Sequence, residues 1–175
     1  MVITPNSTVK MMYAPKIQKY FEDKGCPYWH EFERQYSLID FVDYSVTVIG
    51  GDCGSVCLYA ILRGAKYCIM YERDPELRRK AQEVVALFGI KDKVEIRGEW
   101  NGLEYPDTGI LLVDCEGCES MLDIDLVSRI YPQVGIAVHE WVENHLEILQ
   151  KLAEWHYVLT YVTPDLKEMY FVHVR

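Results

Sequence analysis

One stretch limits the folds open to this chain more than any other. Val46-Thr-Val-Ile-Gly-Gly-Asp-Cys-Gly-Ser55 joins an apolar, β-branched strand to a glycine-rich turn. A helical pattern over Ser55–Arg63 then leads to a second apolar strand, Ala65–Tyr71, which ends at Glu72. Glycines at such a turn let the backbone approach a ligand that a Cβ would hold off. An acid at the tip of the next strand is placed to accept hydrogen bonds from two ribose hydroxyls. The combination predicts an adenosine-type cofactor at the carboxyl ends of parallel strands.

The glycine spacing narrows the ligand. Read from Gly50, the run Gly-Gly-Asp-Cys-Gly-Ser lacks the G-x-G-x-x-G pattern that seats a pyrophosphate, and it has no P-loop lysine. What fits is a nucleoside with a small charged tail, and S-adenosylmethionine (SAM) is such a ligand. Gly50, Gly51, Asp52, Cys53, Gly54 and Ser55 are then the loop residues expected around it, with Glu72 and Arg73 at the next strand end. The alternative is a glycine-rich turn that binds nothing.

The rest of the chain alternates in the same way. A helix over Pro75–Phe88 opens on proline, with Asp74 as its N-cap, and closes at Gly89. Strands follow at Lys93–Arg97, Gly109–Val113 and Val134–Val138, the second of them a continuous apolar run suited to a strand covered on both faces. Val127–Ile130 reads as a short helix and Glu143–Glu154 as an amphipathic one. Tyr157–Val162 and Met169–Val174 form a closing antiparallel hairpin. The expected class is α/β: a doubly wound, mostly parallel seven-stranded sheet with a C-terminal antiparallel hairpin. Residues 1–43 read as a helical segment, and 44–175 as the SAM-binding unit. Helical spacing is expected around 16–24 and 29–40. Tyr13, Tyr20, Phe21, Tyr28, Trp29, Phe32 and Tyr36 can either wall an acceptor pocket or pack on the flank of the sheet.

Charge and cysteines exclude several functions. The net charge of -9 is concentrated at the end of the chain: residues 1–45, 46–98 and 99–175 carry nets of -1, +2 and -10. Such a surface repels polyanions and disfavours a nucleic-acid partner. No apolar run is long enough for a membrane span and the N-terminus has no secretory pattern, so the expected location is cytoplasmic, with the six cysteines as reduced, structural thiols. Cys115-Glu-Gly-Cys118 lacks the second pair that a zinc ribbon needs. His139-Glu-Trp-Val-Glu-Asn-His145 misses the H-E-x-x-H spacing of a metalloprotease.

Three segments together resemble the class I SAM-dependent methyltransferases, and more narrowly the FkbM-like group. They are Val48-Ile-Gly-Gly-Asp-Cys-Gly54, Tyr71-Glu-Arg-Asp-Pro75, and Leu112-Val-Asp-Cys-Glu-Gly-Cys-Glu119, whose acids and glycine all fall in the family's register. The resemblance covers roughly residues 44–174 and implies a Rossmann-like methyltransferase fold and methyl transfer, as O-methylation, from SAM to a small-molecule or glycan acceptor. The alternatives are a SAM-binding module without turnover and, less favoured, a nucleic-acid methyltransferase. It departs at Val48, where the family carries an acid for the methionine tail, and at Leu112, where it carries lysine. Asp52 is positioned to substitute for the first.

Roles follow from chemistry and resemblance together. Glu72 is expected to hold the ribose, Glu99 the adenine amino group and Trp100 the purine face; the alternative for the last two is an exposed turn glutamate beside a core tryptophan. Asp114, Glu116 and Glu119 cluster near the sulfonium end, where methyl transfer depends on positioning and on a base for the acceptor's proton, Asp114 or Glu116; the alternative is that these acids cap the following helix. His139, one strand further on, is a second candidate base. No metal is assigned, although Asp114, Glu116 and His139 are residue types that bind one.

Overall fold

The computed structural model describes residues 7–26 and 31–175, with side chains from residue 15 onward. Seven strands form one sheet: β1 (Ser45–Ile49), β2 (Tyr67–Tyr71), β3 (Val94–Arg97), β4 (Ile110–Val113), β5 (Gln133–His139), β6 (Val158–Val162) and β7 (Glu168–Val174). Their order is β3-β2-β1-β4-β5-β7-β6. The first five strands pair in parallel, and β7 runs antiparallel between β5 and β6. This is the doubly wound, mostly parallel seven-stranded sheet with a C-terminal antiparallel hairpin expected from the sequence.

Apolar runs become strands here because both faces are covered. Val46, Val48, Ile110 and Leu112 point into one layer of the core, while Ile49, Leu111 and Val113 point into the other. The period of two along each strand makes that division. On the first face lie α1 (Ser7–Asp23), α2 (Phe32–Gln35), α3 (Ser55–Leu62) and α4 (Pro75–Leu87). On the second lie α5 (Ile124–Ile130) and α6 (His145–Glu154). Asp74 caps α4 as expected, accepting from the Glu76 N–H at 2.7 Å. Helix α5 starts earlier than its apolar pattern suggests, because the Asp123 carboxylate caps the Leu126 N–H at 2.9 Å.

The N-terminal aromatics join the core where their side chains are described. Phe21 is fully buried, and Phe32 and Tyr36 pack against Phe41 and Tyr59 in the first layer. Tyr28 and Trp29, and the side chain of Tyr13, lie outside the described residues.

The expectation of six free thiols is overturned. Cys26 pairs with Cys53, Cys57 with Cys68 and Cys115 with Cys118, leaving no free cysteine. Two of these pairs are 27 and 11 residues apart in sequence and meet only because α1 and α3 dock on the sheet. The first disulfide ties the end of α1 to the glycine loop. Among the described residues, no helix is long and apolar enough to cross a membrane.

Helix α1 should behave as part of the core. Phe21→Ala removes a fully buried ring and is expected to cost about 3–5 kcal/mol, read as a lowered midpoint in chemical denaturation. A change below about 0.5 kcal/mol, the range of surface substitutions, would contradict that packing.

Candidate functional site

Chain order reverses between β1 and β4, and a cleft of about 810 Å³ opens there, at the carboxyl ends of the parallel strands. Each parallel strand delivers a residue to it: Gly50 after β1, Glu72 after β2, Glu99 after β3, Asp114 after β4 and His139 at the end of β5. Glu168 and Tyr170, from β7, complete one wall.

The glycine loop is held tightly. The Gly50 and Gly51 N–H groups both donate to the Tyr71 carbonyl, at 3.0 and 2.9 Å. Gly50 has φ +82°, and a Cβ there would collide with the Asp114 carbonyl, so only glycine fits. Glu72 is buried, with one carboxylate oxygen accepting from the Asp52 N–H at 2.9 Å and the other from the Asp74 N–H at 2.8 Å. It therefore braces the loop, and each oxygen keeps a lone pair for a ligand. Asp52 is half-buried on the cleft wall, where burial and the charge of Glu72 push its carboxyl up to about 6.

Of the residues expected around a cofactor, Gly50, Asp52, Ser55, Glu72, Arg73, Glu99, Trp100 and Asp114 line the cleft. Gly51, Cys53 and Gly54 do not. Gly51 backs onto Met70, Cys53 is in its disulfide, and Gly54 packs on Ala81. Trp100 is mostly covered, its indole N–H donating to the Glu104 carbonyl at 2.7 Å. The residue at the family's acid position, Val48, is buried in the core.

At the other end of the cleft, five side chains form one network. His139 is 2% exposed. Its Nδ1 lies 2.6 Å from Glu119 Oε1, and its Nε2 lies 3.2 Å from Glu168 Oε1 and 3.7 Å from Asp114 Oδ1. Glu119 is fully buried, and its second oxygen accepts from the Gly117 N–H at 2.8 Å. The Tyr170 hydroxyl sits 2.5 Å from Asp114 Oδ2 and 2.6 Å from Glu168 Oε1. One hydroxyl proton cannot serve two carboxylates, so both short contacts together require a second proton in the cluster.

The electrostatics place that proton. Burial, then the charge of Glu168, push the Asp114 carboxyl up to about 7. Burial works against a charged His139, but its bonds to Glu119 and Glu168 outweigh it and raise the imidazole to about 10. A protonated Asp114 can then donate to Tyr170, Tyr170 to Glu168, and the imidazolium to Glu168 and Glu119. This chain can take up or release a proton at its cleft end near neutral pH.

Glu168 and Tyr170 are not among the residues the sequence brings to the site, and Glu119 is expected there only as part of the acidic cluster. Glu119 stood in the quoted motif; its neighbour Gly117, with φ +127°, turns it back into the sheet. Glu168 lies directly opposite His139 in the β5–β7 register, and Tyr170 follows on the same face. Glu116, expected beside Asp114, is exposed on the cleft rim and makes no hydrogen bond to the network.

No protein-family model matches the chain. Two viral proteins do. Uncharacterized protein 158B of Sulfolobus islandicus rod-shaped virus 1 is 47% identical over 153 residues, covering 87% of this chain and 95% of its own length. Uncharacterized protein 65 of Sulfolobus islandicus filamentous virus (isolate Iceland/Hveragerdi) is 39% identical over 153 residues, covering 87% and 94%. The chain belongs to the family of these two proteins. Neither of that family's two names states an activity, and solved structures add information on the fold alone. A precorrin-6y C5,15-methyltransferase from Geobacter metallireducens GS-15 shares 16% identity at TM-score 0.56, covering 75% of this chain and 79% of its own. A putative RNA methyltransferase from Pyrococcus horikoshii shares 20% at 0.56, covering 79% and 77%. A putative methyltransferase from Escherichia coli shares 12% at 0.58, covering 82% and 81%.

The network sets a pH dependence. From pH 3.8 to about 7 the folded chain keeps a proton on Asp114 that the unfolded chain releases, and from 6.5 to about 10 it keeps one on His139. Both raised values make stability fall as pH rises. The contribution of His139 is complete below pH 6.5 and lost through about 10. Urea midpoints are expected to decline from pH 5 to pH 10, and His139→Gln should flatten the upper part of that decline. A profile that rises with pH would contradict the assignment.

Proposed function

We propose that the chain binds SAM in this cleft and transfers its methyl group to a hydroxyl of a small molecule or glycan. The observation that carries the reading is Glu72, a buried carboxylate at the tip of β2 that faces the cleft and braces the glycine loop. It fits the two ribose hydroxyls. Asp52 takes the place of the acid missing at Val48, since its carboxylate lines the same cleft and would pair with the cationic amino group of the methionine tail. Glu99 and Trp100, beyond β3, lie at the adenine end.

The charge of the cleft supports this ligand over a polyanion. Among the described residues nine carboxylates line it against Arg73 and Lys167, and SAM carries a sulfonium and an amino group. The same field disfavours a nucleic-acid acceptor, although one protein of similar fold is a putative RNA methyltransferase. Asp114 is the group at the acceptor end that accepts a proton near neutrality, with Tyr170, Glu168 and His139 behind it. The hydroxyl oxygen attacks the methyl carbon, the carbon–sulfur bond breaks, and the hydroxyl proton passes to Asp114 in its ionised form, which a carboxyl raised to about 7 still populates at neutral pH. Membership of the narrower FkbM-like group rests on Asp114, Glu116, Gly117 and Glu119 standing in register.

Glu72→Ala is the direct test. Losing charge-assisted bonds to two hydroxyls should cost about 1.5–3 kcal/mol, a loss of roughly ten- to a hundredfold in affinity for S-adenosylhomocysteine by calorimetry. Equal affinity in a folded variant would remove the basis for the cofactor.

A further inference from the structure

We propose that Asp114, His139 and Glu168 form a binding site for a divalent metal ion on the floor of the cleft. The site stands on its own geometry, and only its use in methyl transfer rests on the cofactor reading.

Three observations support it. The first is spacing. His139 Nε2 lies 3.2 Å from Glu168 Oε1 and 3.7 Å from Asp114 Oδ1, and the three ligand atoms fall within 4.8 Å of one another. Bonds of about 2.0–2.2 Å to nitrogen and carboxylate oxygen place neighbouring ligands roughly 3.0–3.6 Å apart at octahedral to tetrahedral angles. The cluster needs only small shifts to close on an ion.

The second is the support behind the histidine. Glu119 is buried, anchored by the Gly117 N–H, and holds His139 Nδ1 at 2.6 Å. A buried carboxylate on the far nitrogen is what orients a metal-bound imidazole and fixes its tautomer. It directs Nε2 toward the two remaining carboxylates. Trp141 packs against the ring at 4.5 Å between centroids and limits its rotation.

The third is access and charge. Asp114 and Glu168 are 27% and 17% exposed at their side chains, and both line the cleft, so an ion there keeps open positions toward a ligand. The three come from β4, β5 and β7, neighbours in the sheet, which holds them rigidly. An entering dication displaces the protons of Asp114 and of His139 Nε2, and it then offsets the charge of the three carboxylates, Asp114, Glu119 and Glu168, around a single neutral imidazole. One imidazole and two carboxylates, with the nearby Cys115 and Cys118 joined to each other, select Mn²⁺, Fe²⁺ or Zn²⁺ over a thiophilic ion.

With an ion in place Asp114 becomes a ligand, and the ion takes over activation of the acceptor. A hydroxyl bound to it would release its proton to solvent. The oxygen would then form its bond to the methyl carbon as the carbon–sulfur bond breaks, leaving a neutral thioether.

Titration of the full chain with Mn²⁺, with free ion read by electron paramagnetic resonance, tests the site. One saturable site per chain is expected, weakened at least tenfold by Glu168→Gln. Should that variant fail to fold, selective Mn²⁺ broadening of the His139 imidazole resonances in the unaltered protein makes the same test. No saturable site, a site that Glu168→Gln retains, or broadening that spares His139 would overturn the proposal. Binding of S-adenosylhomocysteine, measured separately without Mn²⁺, reports on the cofactor reading, so that either can fail alone.

Discussion

The approach of Gly50 to the Asp114 carbonyl is the contact around which the cleft is arranged. It occurs where the chain order of the sheet reverses, and the Asp114 N–H donates to the Ile49 carbonyl at 2.9 Å beside it. Any side chain at position 50 would force β1 and β4 apart at their carboxyl ends. Because none is present, the glycine loop and the acid after β4 share one wall. The proposed cofactor and the acceptor chemistry can therefore meet within a single cleft.

From that contact two systems diverge. Glu72 ties the loop to the start of α4 through the Asp52 and Asp74 N–H groups, so a ligand held by Glu72 is also held by the loop. Asp114 enters the network of Tyr170, Glu168, His139 and Glu119, in which every short contact joins an acid to a group with a proton to share. Burying Glu119 completely is tolerable only because a backbone N–H and an imidazole both serve it. Removing His139 would leave it half-satisfied.

Much of this was legible in the sequence, for identifiable reasons. The strands of a doubly wound sheet are buried on both faces, so runs such as Ile110–Val113 stand out. Glycine, proline and aspartate punctuate the helices. Glu72, Asp114 and His139 follow directly from lying at strand ends on one rim. Glu168 and Tyr170 were not legible, because their place depends on β7 entering between β5 and β6, a pairing set by tertiary packing. The Cys26–Cys53 and Cys57–Cys68 pairs were hidden for the same reason, and Cys53 looks cofactor-facing until its disulfide partner is known.

The central claim is that the cleft at the switch point takes an adenosine cofactor through Glu72. A crystal structure of the chain with S-adenosylhomocysteine tests it most directly. The expected result is both ribose hydroxyls on the Glu72 carboxylate, the adenine toward Glu99 and Trp100, and the sulfur toward Asp114. Cofactor density away from Glu72, or a cleft that stays empty at saturating ligand, would contradict it.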